Sequence, residues 1–334
     1  MAHQADDLTI QIASALKYLI TGGAGFIGSH LVDLLIDEGH QVVVFDDFST
    51  GTKANLTQHS ASKQLEVIEG SILDPSALKK AAKGTDRIIH LAAAVGVFNI
   101  VQQPLRSLRI NITGSENVFD LALENKTPVL VASSSEVYGK NTADSLSEDD
   151  DRVVGAPQKI RWSYSDAKAI DESMAVALNM QAGLETRIVR LFNTVGPRQV
   201  GRYGMVVPRF VSAALKNEPI EIYGTGKQTR CFGHVHDIVR ALIAVDRSSE
   251  TVGRPVNLGV NQEISILNLA TKVKAMTNSS SGIVFKSYDE VYAKGFEDME
   301  RRVPNNSLLK SLTGWTETKN IDEIVRDLIT YQKN

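Results

Sequence analysis

The stretch Tyr18-Leu-Ile-Thr-Gly22-Gly-Ala-Gly25-Phe26-Ile27-Gly28-Ser-His-Leu31 runs from a short apolar segment through three spaced glycines into an amphipathic pattern. Gly22 permits a tight turn, Gly25 lets the backbone approach a pyrophosphate, and Gly28 lets a helix lie close to the preceding strand. Phe26 and Ile27 open that helix beside the ligand, whose phosphates sit on free N–H groups at the positive end of the helix dipole. Glycines alone carry little information, so the context decides. The context is Gln41-Val-Val-Val-Phe-Asp46, a second strand ending in an acid 18 residues beyond Gly28. Asp46, with Asp47 beside it, is placed to take adenosine ribose hydroxyls and to repel a 2′-phosphate, which selects NAD over NADP.

Outward from this turn, apolar strand-like runs at 17–21, 41–46, 65–68, 87–92, 128–133 and 186–192 alternate with helical spacing. Such alternation predicts an α/β fold, a mainly parallel doubly wound sheet with helices on both faces. Ligands then bind at the carboxyl ends of the strands, where Asp46, His90, Ser133 to Glu136 and Asn193 fall. From about residue 195 the alternation fails, and Gly196-Pro-Arg198, Gly201-Arg-Tyr-Gly204, Pro208-Arg209 and Gly224-Thr-Gly226 mark a different region. The expected division is a tail over 1–16, a cofactor domain over 17–194 and a smaller substrate lobe over 195–334, with the chain crossing between lobes more than once. The acidic run Glu148-Asp-Asp-Asp151 reads as a solvated loop, and no His, Cys or carboxylate cluster has metal-ligand spacing.

The chain has 334 residues, 43% hydrophobic and 22% charged, with a net charge of −3. That balance fits a globular protein with a large core and gives no electrostatic case for nucleic acid or an anionic membrane. Anionic substrates must be met by local arginines. One cysteine, Cys231, excludes an internal disulfide framework. No run approaches the ~18 apolar residues of a membrane helix, and residues 1–15 lack a signal-peptide pattern, so cytoplasm is the expected compartment.

Tyr164-Ser-Asp-Ala-Lys168 opens a helical pattern, which puts the phenol and the ammonium on one face. The lysine cation and a positive nicotinamide both favour phenolate, so the tyrosine pKa is expected to fall toward the range of a general base. Val129-Leu-Val-Ala-Ser-Ser-Ser-Glu-Val-Tyr138-Gly139 is a buried strand that breaks into three hydroxyls and a carboxylate. Buried polar groups need partners or a task. Ser134 or Ser135 can bond a reacting sugar hydroxyl, and Glu136 can exchange a proton at a neighbouring carbon.

The glycine turn, the serine-rich strand end and Tyr164-x-x-x-Lys168, in this order and at these separations, resemble the extended short-chain dehydrogenase/reductase family of nucleotide-sugar epimerases, dehydratases and decarboxylases. The resemblance covers nearly the whole chain. It implies a Rossmann-type domain with a smaller C-terminal nucleotide-sugar lobe, bound NAD, a nucleotide-diphosphate sugar substrate oxidised at carbon 4, and a homodimer. It also implies that Ser134, Ser135, Glu136, Tyr164 and Lys168 form the catalytic set. Leu91, Ala92 and Ala93, after His90, resemble the family's cofactor-lining strand end, while Ser71 and Ile72 fall near adenine. Within Arg190-Leu-Phe-Asn193, Val206-Val207-Pro-Arg209-Phe210 and Tyr223-Gly-Thr-Gly-Lys-Gln-Thr-Arg230, the resemblance implies substrate contacts from Asn193, Val207, Arg209, Tyr223 and Arg230, and further on from Arg302. Guanidinium groups suit diphosphate through paired hydrogen bonds.

Glu136 points past plain epimerisation, toward decarboxylation or dehydration of the 4-keto sugar. A UDP-hexose 4-epimerase, in which Glu136 only binds a hydroxyl, is the alternative, and a non-catalytic NAD-binding scaffold a remote one. Met205 stands where the decarboxylases carry an arginine suited to a substrate carboxylate. Either Arg202 takes that place from a shifted loop or the substrate has no carboxylate. Ser71 and Ala169 also depart from the family pattern, the former from an aspartate near adenine and the latter from an arginine after the lysine.

Overall fold

A computed structural model describes residues 15–201, 205–291 and 299–333. Most of the expected N-terminal tail, and Arg202, lie outside the described residues. The first half alternates β1 (Lys17–Thr21), α1 (Phe26–Asp37), β2 (Gln41–Asp46), β3 (Leu65–Glu69), α2 (Pro75–Ala81), β4 (Arg87–His90), α3 (Val97–Gln102), α4 (Pro104–Asn125), β5 (Val129–Ser134), α5 (Ser163–Ala182) and β6 (Thr186–Leu191). Then follow β7 (Thr194–Val195), α6 (Val206–Leu215), β8 (Ile220–Tyr223), β9 (Thr229–Cys231), β10 (Gly233–His234), α7 (Val235–Arg247) and β11 (Pro255–Leu258). The last elements are β12 (Glu263–Ser265), α8 (Ile266–Thr277), β13 (Ile283–Lys286), α9 (Tyr288–Val291), α10 (Ser307–Thr313) and α11 (Ile321–Lys333).

Among the described residues seven parallel strands form the central sheet, in the order β11-β6-β5-β4-β1-β2-β3. Successive side chains of a strand face opposite sides, so both faces of this sheet are apolar. Tyr18 and Ile20 of β1 join Leu31 and Leu35 of α1 and Val239 and Leu242 of α7 on one side. Leu19 faces Val118 and Ala122 of α4 and Ala175 of α5 on the other. The strand order reverses at β1, between β2 and β4, which opens a crevice at the carboxyl ends of β1 and β4.

Two features differ from the sequence reading. The strand expected over 87–92 ends at His90, and Leu91 to Ala94 leave the sheet to line the crevice. The seventh strand, Pro255–Leu258, pairs with β6 although it belongs to the stretch assigned to the second lobe. That lobe has its own core, in which Val207, Phe210 and Val211 of α6 pack with Leu269 and Val273 of α8 and Leu328 of α11. Small strand pairs β8–β13 and β9–β12 complete it.

Candidate functional site

A single cleft of about 1030 Å³ runs from the glycine turn across the ends of β1, β4 and β5 into the second lobe. At its cofactor end, Gly22 has φ +74°, its N–H donates to the Phe45 carbonyl at 2.9 Å, and its own carbonyl accepts from Gly25 N–H at 3.1 Å. A Cβ on Gly22 would stand 2.7 Å from the Ala92 nitrogen, and one on Gly28 would stand 2.2 Å from the Gly22 carbonyl oxygen. The turn, the helix and the end of β4 are therefore in contact, and only hydrogen fits at those two positions. Gly25 differs, because its nearest neighbour to an added Cβ is the Gly22 oxygen at 3.2 Å.

Asp46 is buried, and each of its oxygens accepts a backbone N–H, from Ala24 at 2.9 Å and from Phe48 at 2.8 Å. The acid at the end of β2 thus holds the glycine turn and still keeps lone pairs toward the cleft. Burial raises its carboxyl above the usual aspartate range. Asp47, Ser71, Ile72, Phe26, Ile27, Leu91, Ala92 and Ala93 line the same end. Close glycines, a helix N-terminus and an acid at the second strand fit a dinucleotide.

Where β5 ends, the three serines separate in role. Ser133 donates to Glu172 at 2.5 Å, and Glu172 also receives both arms of Arg190 at 2.9 and 2.8 Å. This pair ties α5 to β6. Ser134 accepts the Glu136 N–H at 3.2 Å, capping the short turn Ser135–Tyr138, and its hydroxyl stands beside the Tyr164 phenol. Ser135 accepts from Arg302 Nη1 at 3.2 Å. Glu136 lies between two guanidinium groups, Arg161 and Arg302, the second at 2.7 Å. Burial alone would raise the Glu136 carboxyl, but Arg302 and Arg161 outweigh it and bring it down to about 2.

Tyr164 and Lys168 share the inner face of α5, which begins at Ser163. For the phenol, the protein groups alone set the opposite direction to the one expected with nicotinamide bound. Burial raises it, Lys168 pulls it down, Glu136 and Asp171 push it up, and the balance lies above the ordinary tyrosine value. A positive nicotinamide would act in the same direction as Lys168. Lys168 is itself fully buried, with its ammonium 3.0 Å from the carboxylate of Asp171, one helical turn on.

In the second lobe, Asn193, Val207, Arg209, Tyr223, Arg230 and Arg302 all line the cleft, with Met205 capping the start of α6. Arg209 stacks on Tyr223, 4.1 Å from the ring centroid, and Arg230 donates to the Thr229 carbonyl at 2.7 Å. Asn193 bonds the Cys231 carbonyl at 3.1 Å. The other arginines of the motif serve elsewhere: Arg190 holds Glu172 and Tyr138, and Arg198 pairs with Asp33 at 2.8 Å. Glu148 is not part of a solvated loop, since it accepts the Asn257 N–H at 2.8 Å and its carbonyl accepts from Arg190.

Arg161 was missed by sequence reasoning. It lies three residues before Tyr164, in the 3-10 turn Ile160–Trp162 that leads into α5, and it reaches Glu136 across the cleft floor. Its signal was a basic residue flanked by Ile160 and Trp162 just ahead of the tyrosine helix. Among the described residues no group of three His, Cys, Asp or Glu is arranged to hold a metal, and no helix is long and apolar enough to cross a membrane.

The NAD dependent epimerase/dehydratase family model matches residues 18–259. Similar proteins include a UDP-N-acetyl-alpha-D-glucosaminuronate decarboxylase of Bacillus cytotoxicus, 41% identical over 297 residues, covering 89% of this chain and 91% of the relative. A UDP-glucuronic acid decarboxylase 1 of Xenopus tropicalis is 37% identical over 315 residues, covering 94% of this chain and 72% of the relative. Among solved structures, the UDP-N-acetylglucosamine 4-epimerase from Methanobrevibacter ruminantium M1 in complex with UDP-N-acetylmuramic acid superposes with a TM-score of 0.86. It is 29% identical, with 96% of this chain and 99% of that one covered.

Proposed function

The chain belongs to the NAD-dependent epimerase/dehydratase family and is an NAD-dependent enzyme, and from that premise we propose that it decarboxylates a UDP-linked uronic acid. The observation that carries this reading is Glu136 held between Arg161 and Arg302 beside Ser135 and Tyr164. Glu136 gathers Arg161 and Arg302 at the cleft floor, and guanidinium groups are the side chains that suit a substrate carboxylate there. A carboxyl held at about 2 is also a poor base for the carbon-5 proton, which dehydration must remove and decarboxylation need not.

In this reading Tyr164 takes the proton of the carbon-4 hydroxyl, with Ser134 beside the phenol and Lys168 supplying positive charge. Bound along the glycine turn and Asp46, NAD would supply the hydride acceptor and donor for carbon 4. The ketone at carbon 4 makes the sugar a β-keto acid, whose carbon–carbon bond to carbon dioxide breaks with the electron pair delocalised onto the ketone oxygen. Ser134 and Tyr164 face that oxygen as donors, and carbon 5 then takes a proton. Asn193, Val207, Arg209, Tyr223 and Arg230 hold the nucleotide diphosphate, and Asp46, Asp47, Ser71 and Ile72 the adenosine end of NAD.

The domain division at 194/195, a homodimer and a cytoplasmic place belong to the same reading. Exposed Leu105 and Leu123 on α4 with Ile170 and Met180 on α5 support the dimer, and the single-cysteine composition supports a reducing compartment. The test is mass spectrometry of products after incubation with NAD and either UDP-glucuronate or UDP-N-acetylglucosaminuronate. Loss of carbon dioxide is the expected result. Loss of water would make the enzyme a dehydratase, and an isomer of unchanged mass would favour the 4-epimerase, for which Met205 in place of an arginine is the specific argument.

A further inference from the structure

Helix α5 carries two adjacent acids on its inner side, Asp171 and Glu172, both buried. Glu172 is fully engaged: Arg190 and Ser133 satisfy both its oxygens, and its work is to fasten α5 to β5 and β6. Asp171 has a different surrounding. The cation within ion-pair distance is Lys168, Nζ to Oδ2 at 3.0 Å, with side-chain exposures of 2% and 0%. The second oxygen, Oδ1, is buried without a hydrogen-bond partner among the described residues. A buried carboxylate costs free energy that an apolar side chain would not, and its inner-face neighbours Ala167 and Ala175 are small and apolar. Packing of the helix therefore gives no reason for an acid here, whereas the ammonium it touches does.

We propose that Asp171 is a positioning residue for the redox step: its buried carboxylate fixes the Lys168 ammonium and sets how much of that positive charge reaches the Tyr164 phenol. The inference rests on the reading of Tyr164 as the proton acceptor. An ammonium on a four-carbon stem has many rotamers, and an anion one turn along the helix selects the one in which Nζ points into the strand-end network. There the charged and titratable groups are few. Tyr164 and Glu172 lie on the same helix, Glu136 faces the phenol from the turn after β5, and His90 faces Lys168 from β4. Burial and the Lys168 charge keep His90 neutral, with Thr21 bonded to its Nδ1 at 2.6 Å and Ser115 of α4 to its Nε2 at 3.1 Å. Ser115 also stands beside Asp171. Asp171 is thus the negative charge nearest Lys168. It keeps the lysine protonated and partly offsets the pull that the lysine exerts on the phenol.

Replacing Asp171 with asparagine keeps the shape and removes the charge. The readout is the titration of Tyr164 in the cofactor-free protein, followed by NMR of chains labelled with carbon-13 at the tyrosine Cζ, with Tyr164→Phe identifying the resonance among the eight tyrosines. Tyr164 is expected to ionise about one pH unit lower in Asp171→Asn, because a like charge near the phenolate is gone. The acid limb of hydride transfer from UDP-glucuronate, read as NADH absorbance, is expected to move the same way. Asp171→Glu, which keeps the charge, should leave Tyr164 at or above its native value. A downward shift in both variants would assign the effect to disturbed packing and overturn the proposal, as would an unmoved Tyr164 in a cooperatively melting Asp171→Asn chain. If Asp171→Asn does not fold, Asp171→Ser is titrated in its place against the same criterion. A shifted titration with no oxidation of UDP-glucuronate by either chain would refute the proposed substrate and leave the role of Asp171 standing.

Discussion

Arg302 Nη2 lies 2.7 Å from Glu136 Oε1, so a residue late in the chain closes onto the turn that ends β5. The same guanidinium donates through Nη1 to Ser135 at 3.2 Å. The pair joins the second lobe to the floor of the first, at the point where the redox residues Tyr164 and Ser134 meet. Its geometry makes Glu136 a permanent anion with low proton affinity, which separates its role from that of Tyr164.

Substituting Glu136 with glutamine should separate two steps, because its charge holds Arg161 and Arg302 where the sugar carboxylate is received, whereas Tyr164 and Lys168 carry the redox step. Hydride transfer from UDP-glucuronate, followed as NADH absorbance in a single turnover, should persist within about tenfold, while carbon dioxide release should fall by about a hundredfold or more. Equal losses in both would mean that Glu136 only positions the sugar.

The Glu136 ion pair also predicts a pH signature in stability. Its folded carboxyl is held at about 2, below an unfolded glutamate near 4.5, so its contribution is present above pH ~4.5 and is lost as pH falls toward ~2. The full shift corresponds to a contribution on the order of 3 kcal/mol. Urea melts of the native chain and Glu136→Gln at several pH values should show a gap that is widest near neutrality and narrows below pH ~4.5. A gap constant down to pH ~3 would contradict the ion pair as the cause.

How far the sequence could lead is clearest at this same turn. The glycine turn, Asp46 and the Tyr164–Lys168 spacing are local patterns in which neighbours in sequence are neighbours in space, and the structure brings these residues to one cleft. The roles of the three serines were not legible, because Ser133 is taken up by Glu172 and Ser135 by Arg302, partners set by tertiary packing. Strand β11 was hidden for a related reason: Pro255-Val-Asn-Leu258 is only four residues long and carries Asn257, whose side chain answers Tyr138 at 2.7 Å. Without a nicotinamide beside it the Tyr164 phenol lies above its ordinary value, because burial, which spacing does not show, outweighs the lysine that spacing did find.

Tyr164→Phe should abolish carbon-4 oxidation, by about a hundredfold to ten-thousandfold, with NAD affinity within about threefold of native. The phenol is the proton acceptor in the proposed reaction, whereas the cofactor's adenosine and phosphates are held by the glycine turn and Asp46. Stopped-flow NADH formation and NAD titration by calorimetry check the two halves, and full turnover by the variant would remove Tyr164 from its assigned role.

Asp46→Asn tests an acid with two duties. An amide offers a single acceptor oxygen, so either the Ala24 or the Phe48 N–H loses its partner and the glycine turn loosens. NAD affinity should fall about tenfold, the equivalent of one good hydrogen bond, and NADP should not become the preferred cofactor because no cation replaces the lost charge. Calorimetric titration with both cofactors decides it, and unchanged NAD affinity would show that Asp46 serves the fold alone.

The glycines themselves divide into one needed for folding and one needed for the ligand. A methyl on Gly28 would lie 2.2 Å from the Gly22 oxygen and 2.7 Å from Gly23 Cα, both rigid backbone, so α1 would have to move off β1. Gly28→Ala should lower Tm by roughly 5 °C or more even without cofactor. A methyl on Gly25, whose φ of −73° suits any residue, meets only the Gly22 oxygen at 3.2 Å. Gly25→Ala should therefore leave the cofactor-free Tm within about 2 °C while weakening NAD about tenfold or more, since the added methyl stands where the pyrophosphate approaches the helix N-terminus. Thermal melts with and without NAD separate the two cases, and a Gly25→Ala chain that binds NAD as the native one does would place the pyrophosphate elsewhere in the cleft.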